Sequence, residues 1–389
     1  MILLLSSQNT YNDEIYKYIL KRKDNIMNLP NAYARISLSN LKENYLKIKS
    51  AAGGRRVICV IKADAYGHGA VQCAQALTEA GADFFAVASI DEACQLREGG
   101  ITQEIIILGY VPFARIREAL EMNLVLAVYS YDFARAADLI CAQTGIRGNV
   151  HLKINTGMNR LGFGYEMKEK ILEITKLKNL SFQGIFSHFS MSDDTESDFT
   201  RTQYMRFRSL LESLSAEGIN FPVTHISNSA AIFNFGDDAS NAVRCGIALY
   251  GLSPADNPEL NLKPVMTLCS TVINIMTVGG NEGIGYSQTY FTSKKEKIAV
   301  IAAGYADGYI RDYSNKAEVM IRSQKARSTG NICMDMFMAD ITGLEGICVG
   351  DEAELFGENI RAEELAEKAN TIPYEVVCLI SKRVKRIYL

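Results

Sequence analysis

The sequence is short of several things, and each shortage removes a class of function. Its nine cysteines contain no Cys-x-x-Cys pair and scatter from Cys59 to Cys378, which argues against a zinc site or a disulfide framework and for the reduced thiols of a cytoplasm. Charge of one sign is also missing: 41 Lys+Arg stand against 44 Asp+Glu, a net charge of -3. That balance leaves no basic field for nucleic acid and no polybasic face for a membrane. No apolar run approaches the ~20 residues of a membrane span. The opening Met1-Ile-Leu-Leu-Leu5 is too short for a signal-peptide core and runs into polar and acidic residues. No internal repeat or low-complexity segment stands out. What remains is a cytoplasmic protein with a small-molecule partner and no metal.

At 389 residues the chain predicts about two domains. Residues 1–30 read as an extension with one candidate amphipathic helix and no chemistry. Over 31–261, β-rich runs recur at βα-unit spacing: 57–62, 83–89, 104–109, 124–130, 149–155, 181–188, 222–228 and 242–246. Helix signals fall between them; Ser89-Ile-Asp-Glu92 is a capping box, and Gly99-Gly100 ends the helix it opens. Eight such units predict an α/β fold, a closed parallel (β/α)8 barrel with its site at the C-terminal ends of the strands. Polar residues do fall at those ends: Lys62, Lys153, Arg160, His188, Asn228, Ser229 and Arg244. A doubly wound sheet, the competing fold, would gather its functional groups at one switch point instead. From residue 262 to 389 strands follow without long helices, at 265–276, 297–302, 317–322, 336–341 and 352–356, with a helix near 361–370; this predicts a second, mainly antiparallel β domain.

Lys62 carries the first chemical signal. It ends the β-branched run Val57-Ile-Cys-Val-Ile-Lys62, and the chain then turns through Gly67 and Gly69 toward a helix. A rigid, partly desolvated strand tip can lower an amine's pKa and suit it to Schiff-base chemistry with an aldehyde cofactor. A lysine that merely closes a buried strand would look the same, so the rest of the chain decides.

Several motifs occur in order from about Ala32 to the C-terminus. They are Val-Ile-Lys-Ala-Asp-Ala-Tyr-Gly-His-Gly at 60–69, Lys-Ile-Asn-Thr-Gly-Met-Asn-Arg-Leu-Gly at 153–162, and Ser-His-Phe at 187–189. His-Ile-Ser-Asn-Ser follows at 225–229, Val-Arg-Cys-Gly-Ile-Ala-Leu-Tyr-Gly at 243–251, and Gly-Ile-Gly-Tyr-Ser-Gln-Thr-Tyr at 283–290. Gly-Tyr-Ala-Asp-Gly-Tyr at 304–309, Cys-Met-Asp at 333–335 and Ile-Ser-Lys-Arg-Val-Lys-Arg at 380–386 complete the set. Together they resemble the alanine racemase family of pyridoxal-phosphate enzymes.

The resemblance implies that Lys62 binds pyridoxal 5'-phosphate covalently and serves as one acid/base, with Tyr286 as the second base on the opposite face of the substrate. It implies a homodimer with shared active sites, in which Tyr286 and the Cys333-Met334-Asp335 segment reach the partner's site. Tyr66, Ser229, Gly246 and Ile247 match the residues that hold the cofactor phosphate. Arg160 and the Met334 N–H match the groups that bind the substrate carboxylate. His188 matches a residue beside the ring, His225 one that orients Arg244, Tyr305 one at the channel mouth, and Lys153 a site carbamylated in some members. Arg244 matches the partner of the pyridine nitrogen. An arginine only donates there and leaves that nitrogen unprotonated, so the ring is a weaker electron sink and return of the proton to Cα is favoured over transamination.

The implied activity is interconversion of L- and D-alanine for peptidoglycan synthesis; a serine or broad-specificity racemase is the alternative. The doubt rests on Lys382, which stands where familiar members have tyrosine. A lysine there reaches the phosphate as a point charge, contacts a larger substrate, or snorkels away. Asn155, Cys245 and Arg35 depart more mildly, from a frequent aspartate, proline and glutamate. Related barrel decarboxylases are disfavoured by Arg244, and a non-catalytic cofactor carrier by the second domain with Tyr286 and Met334.

Overall fold

Runs such as Phe84–Val87 and Val125–Val128 are buried along their whole length, which is what a parallel strand needs when a barrel interior covers one face and helices the other. In the computed structural model, which describes residues 31–253 and 261–389, these runs become the staves of a barrel. The candidate extension over 1–30 lies outside the described residues.

After β1 (Ala32–Ile36), the chain forms β2 (Arg56–Val60), β3 (Phe84–Val87), β4 (Glu104–Ile107), β5 (Val125–Val128) and β6 (Gly148–Asn155). A two-residue strand β7 (Phe163–Gly164) flanks β6, and β8 (Leu180–Phe186), β9 (Val223–His225) and β10 (Ala242–Cys245) follow. The order β5-β4-β3-β2-β10-β9-β8-β6 closes through a β5–β6 pairing, and the pairs are parallel. The eight-stranded barrel expected from the βα spacing is therefore present, each stave within a few residues of its predicted run. Helices intervene at the expected places. The one over Ile90–Glu98 starts with the Ser89 capping box and ends at Gly99.

The second sheet comprises β11 (Met266–Val278), β14 (Glu296–Ile301), β15 (Glu318–Ile321), β16 (Gln324–Thr329), β17 (Phe337–Asp340), β18 (Glu352–Phe356) and β19 (Lys385–Tyr388), joined by β1. Between β11 and β14 a small hairpin pairs β12 (Gly283–Ile284) with β13 (Tyr290–Phe291). Its order is β14-β17-β16-β15-β18-β11-β1-β19, and β14 returns to β11 by antiparallel pairing. By compactness the described residues fall into two units: 35–267, 361–380 and 388–389 form the barrel unit, and 31–34, 268–360 and 381–387 the β unit. The helices Ala362–Ala369 and Pro373–Cys378 thus belong with the barrel. Among the described residues no helix is long and apolar enough to cross a membrane.

Candidate active site

Strand β2 delivers Lys62 to the C-terminal end of the barrel, and the turn that follows is unusual. Ala63, Asp64, Ala65 and Tyr66 all take left-handed backbone angles, with φ from 52° to 54°, before Gly67 at 82°. Left-handed geometry costs an ordinary residue roughly 1–2 kcal/mol, so four in succession persist only where surroundings hold them. The holding groups are visible. Glu92 Oε1 accepts the Ala63 N–H at 2.7 Å, and Asp64 Oδ1 accepts the Ala70 N–H at 2.7 Å. Glu92 Oε2 meanwhile accepts from the N–H groups of Ala88 and Ser89, at 2.7 and 3.3 Å, closing the capping box of the neighbouring helix. The left-handed turn brings Lys62 and Tyr66, four residues apart, to the wall of one cavity.

That cavity, about 480 Å3, is lined by Lys62, Tyr66, Lys153, Arg160, His188, Ser229, Arg244, Gly246 and Ile247. All nine come from the motifs singled out in the sequence. Its lining includes four basic side chains and no acidic one, an arrangement suited to an anion. Burial, with the charges of Arg160 and Arg244, holds the Lys62 amine below its ordinary pKa. Burial with the same two guanidinium groups pushes Lys153 much further down, and its Nζ lies 4.7 Å from the Phe186 ring centroid.

Arg244 is buried and tied at both terminal nitrogens. Nη1 donates to His225 Nδ1 and to the His225 carbonyl at 3.2 Å; Nη2 donates to the Ser187 and Ile226 carbonyls at 2.7 and 2.9 Å and to His188 Nδ1 at 3.0 Å. Among the described residues its Nε–H has no partner. Burial lowers its pKa to about 9, opposed by Asp237, and the guanidinium stays charged at neutral pH. His188 is pushed well below its usual range by burial and then by Arg244, so it is a neutral ring that accepts through Nδ1.

Beside these groups, the Gly246 N–H donates to Ser229 Oγ at 2.9 Å. A Cβ on Gly246 would stand 2.5 Å from the Tyr66 hydroxyl oxygen, so only glycine lets this backbone and the phenol approach.

Tyr286, Tyr305, Met334, Asp335 and Lys382 are not in this lining; they belong to the β unit. Tyr286 is 71% exposed, Met334 53% and Tyr305 42%. Asp335 pairs with Arg383 at 2.9 Å. His225 is fully buried behind Arg244. Among the lining residues that were not anticipated are Tyr374, whose ring lies 6.1 Å from that of Tyr66, and Cys378, both on the helix Pro373–Cys378. Pro373 at that helix's first turn was the available signal.

Residues 36–254 match the model of the alanine racemase N-terminal domain and residues 265–388 that of its C-terminal domain. The chain is 40% identical over 363 residues to alanine racemase 2 of Caldanaerobacter subterraneus subsp. tengcongensis, covering 91% of this chain and 94% of that one. This chain belongs to the alanine racemase family. Solved alanine racemases share its fold. The Clostridium difficile 630 alanine racemase superposes with a TM-score of 0.89 at 38% identity, covering 93% of this chain and 96% of that one. The Bartonella henselae alanine racemase, solved with covalently bound pyridoxal phosphate, gives 0.86 at 28% identity, with 92% and 100% covered.

Proposed function

We propose that this chain is a pyridoxal 5'-phosphate-dependent isomerase that interconverts L- and D-alanine, working as a cytoplasmic homodimer that supplies D-alanine for cell-wall peptide synthesis. The observation that carries the reading is one basic cavity onto which a pKa-lowered Lys62 and a buried Arg244 with an unpartnered Nε–H both open.

The lining fits the cofactor. The unpartnered Nε–H of Arg244 is a donor for a ring nitrogen. Tyr66 and Ser229 offer hydroxyl groups and Ile247 a backbone N–H to a phosphate, the Gly246 N–H holds the Ser229 hydroxyl in place, and the missing Cβ of Gly246 lets them draw together. When bound, the cofactor supplies an aldehyde to the Lys62 amine and an electron-withdrawing ring that acidifies the substrate's α-proton.

Lys62 Nζ, its basicity reduced by burial, then gives and takes that proton on one face. Tyr286, on the β unit, serves the other face. Arg160 and the Met334 N–H hold the substrate carboxylate, and Lys153 stands beside Arg160 to tune it. Arg244 only donates, so the ring nitrogen it meets stays unprotonated, which favours return of the proton to Cα. Support for the dimer comes from the exposure of Tyr286, Met334 and Tyr305, surface that a second copy would cover while completing the site. Tyr305 would then stand at the entrance, and Asp335 would reach the partner's site with Met334.

The test is racemisation itself. Purified protein loaded with pyridoxal 5'-phosphate should convert L-alanine to D-alanine, followed by loss of optical rotation, and Lys62→Ala should lose both turnover and the covalently held cofactor. A Lys62→Ala protein that keeps its bound cofactor and turns over would overturn the reading.

A further inference from the structure

Behind Arg244 lies a third buried group that the reaction as described does not use. His151 sits on β6 and His225 on β9, two staves apart with β8 between them. His151 registers with Gly184 of β8, and His225 with Phe186 of the same strand. The imidazole of His151 reaches over Gly184 to meet His225: a Cβ on Gly184 would stand 2.6 Å from His151 Nδ1 and Cε1. His151 Nδ1 and His225 Nε2 are 2.9 Å apart.

The direction of the protons follows from Arg244. Its Nη1–H can only donate, so His225 Nδ1 must accept. The proton of a neutral His225 is then on Nε2, and that N–H donates to His151 Nδ1. The proton of His151 is left on Nε2, a buried atom with no partner among the described residues. Burial, with nearby guanidinium charge, lowers the pKa of both imidazoles, that of His151 to about 3, so both rings stay neutral at working pH. An ordinary core position would gain from an apolar side chain here, because a buried unpaired N–H is costly. The cost is retained where the acceptor on the other side of the ring is needed.

We propose that His151 is a positioning residue: it locks His225 in the Nε2–H tautomer and thereby fixes the aim of Arg244 at the cofactor's ring nitrogen. The proposal rests on the reading of Arg244 given above. Arg244 favours the same tautomer from the other side of the ring; with His151 gone the His225 Nε2–H loses its buried acceptor, and the tautomer with its proton on Nδ1 gains population. A donor would then face the Arg244 donor, and the guanidinium would have to turn away.

The chain holds four histidines, so 15N-histidine labelling of the cofactor-free protein can resolve each ring. Wild type should show His225 protonated at Nε2 alone and unchanged with pH. His151→Leu keeps bulk and removes the acceptor; His225 should become a mixture of tautomers. His151→Gln keeps an acceptor and should restore the single tautomer. Gly184→Ala, which crowds the ring, should behave like His151→Leu. In the loaded enzyme, His151→Leu should lower kcat on L-alanine by about tenfold with KM little changed, a transition-state effect. It should also raise pyruvate released per racemisation event, the mark of abortive amino transfer, and His151→Gln should reverse both.

An unchanged His225 signature in His151→Leu would overturn the proposal. So would equal losses in the Leu and Gln variants tracking a common fall in melting temperature. If wild type does not racemise alanine, the functional reading fails while the tautomer measurement still decides whether the lock exists.

Discussion

Glu92 Oε1 accepts the backbone N–H of Ala63 at 2.7 Å, so the carboxylate that caps one barrel helix also pins the residue after Lys62. Glu92→Ala should therefore cost more than a lost cap. The cap contributes about 1 kcal/mol and the hydrogen bond to the exposed Ala63 N–H about 0.5–1.5 kcal/mol, so the cofactor-free protein should lose roughly 1.5–2.5 kcal/mol in urea unfolding. Glu92→Gln keeps one acceptor oxygen but turns an amide NH2, which only donates, toward the other set of N–H groups, so it should lose at least half of that. A loss under about 1 kcal/mol for Glu92→Ala would mean that the left-handed turn stands without it.

Gly246→Ala tests the phosphate cradle. A Cβ on Gly246 would meet the Tyr66 hydroxyl oxygen at 2.5 Å. The expected result is a fall of about tenfold or more in affinity for pyridoxal 5'-phosphate, about 1.4 kcal/mol, with the unfolding midpoint of the cofactor-free protein nearly unchanged. Tyr66→Phe in the same background removes the clashing oxygen and should recover part of the affinity in a fluorescence titration.

Most of this site could be read in the sequence because its polar residues close strands whose buried, β-branched runs are self-announcing. Lys62, Lys153 and Arg244 are examples, and the cavity gathers them as the barrel reading requires. What could not be read depends on contacts between distant segments. The capping box of Glu92 is a local signal, but its second oxygen's bond to Ala63 spans 29 residues. His151 is one histidine in a strand until the fold sets it against His225, 74 residues away. Nor do Ala63 and Ala65 favour left-handed geometry by themselves; the turn is imposed by Glu92 and Asp64. Strands β16 and β19 escaped notice because they are short or charged and owe their conformation to partners in the sheet.

Tyr286→Phe separates chemistry from binding. Tyr286 lies on the β unit, outside the lining that would hold the cofactor, so losing its hydroxyl should leave folding and cofactor affinity within about twofold of wild type. Removal of the α-proton from L-alanine should slow by about 100-fold or more, the scale of a lost general base. Single-turnover exchange of the L-alanine α-hydrogen measures it; parallel losses in exchange and cofactor binding would assign Tyr286 a structural role.

The lysines of the cavity predict a pH dependence of stability. Lys62 and Lys153 both have folded-state pKa values below their ordinary one, Lys153 much the more so. In the unfolded chain both return to about 10.4. Between the folded and unfolded values the unfolded chain holds more protons, so unfolding free energy rises with pH across that window, and the full penalty is present below it. Urea midpoints of the cofactor-free protein in carbon-dioxide-free buffer should climb from pH 7 to pH 9.5. Lys153→Met, which removes the buried amine and its cost of burial, should raise the midpoint at pH 7 and flatten the slope. A steeper or unchanged slope in that variant would show that Lys153 is not the group being titrated.

Lys382 poses the specificity question. The side chain is exposed on the β unit and is absent from the cavity lining, as Tyr286 is too, so the expectation of a bystander rests on the long lysine stem and its freedom to carry the charge into water. Lys382→Tyr should then leave the ratio of initial rates on L-alanine and L-serine within about twofold, the range of surface substitutions, with alanine preferred in both proteins. Were the lysine a donor to the cofactor phosphate instead, the tyrosine variant would bind pyridoxal 5'-phosphate with altered affinity at an unchanged substrate ratio, because a phosphate contact is shared by all substrates. Only a shift in the ratio itself, with serine favoured by the wild type and disfavoured by the variant, would make Lys382 the residue that selects the side chain. Measuring both amino acids and the cofactor affinity on the same two preparations separates the three outcomes.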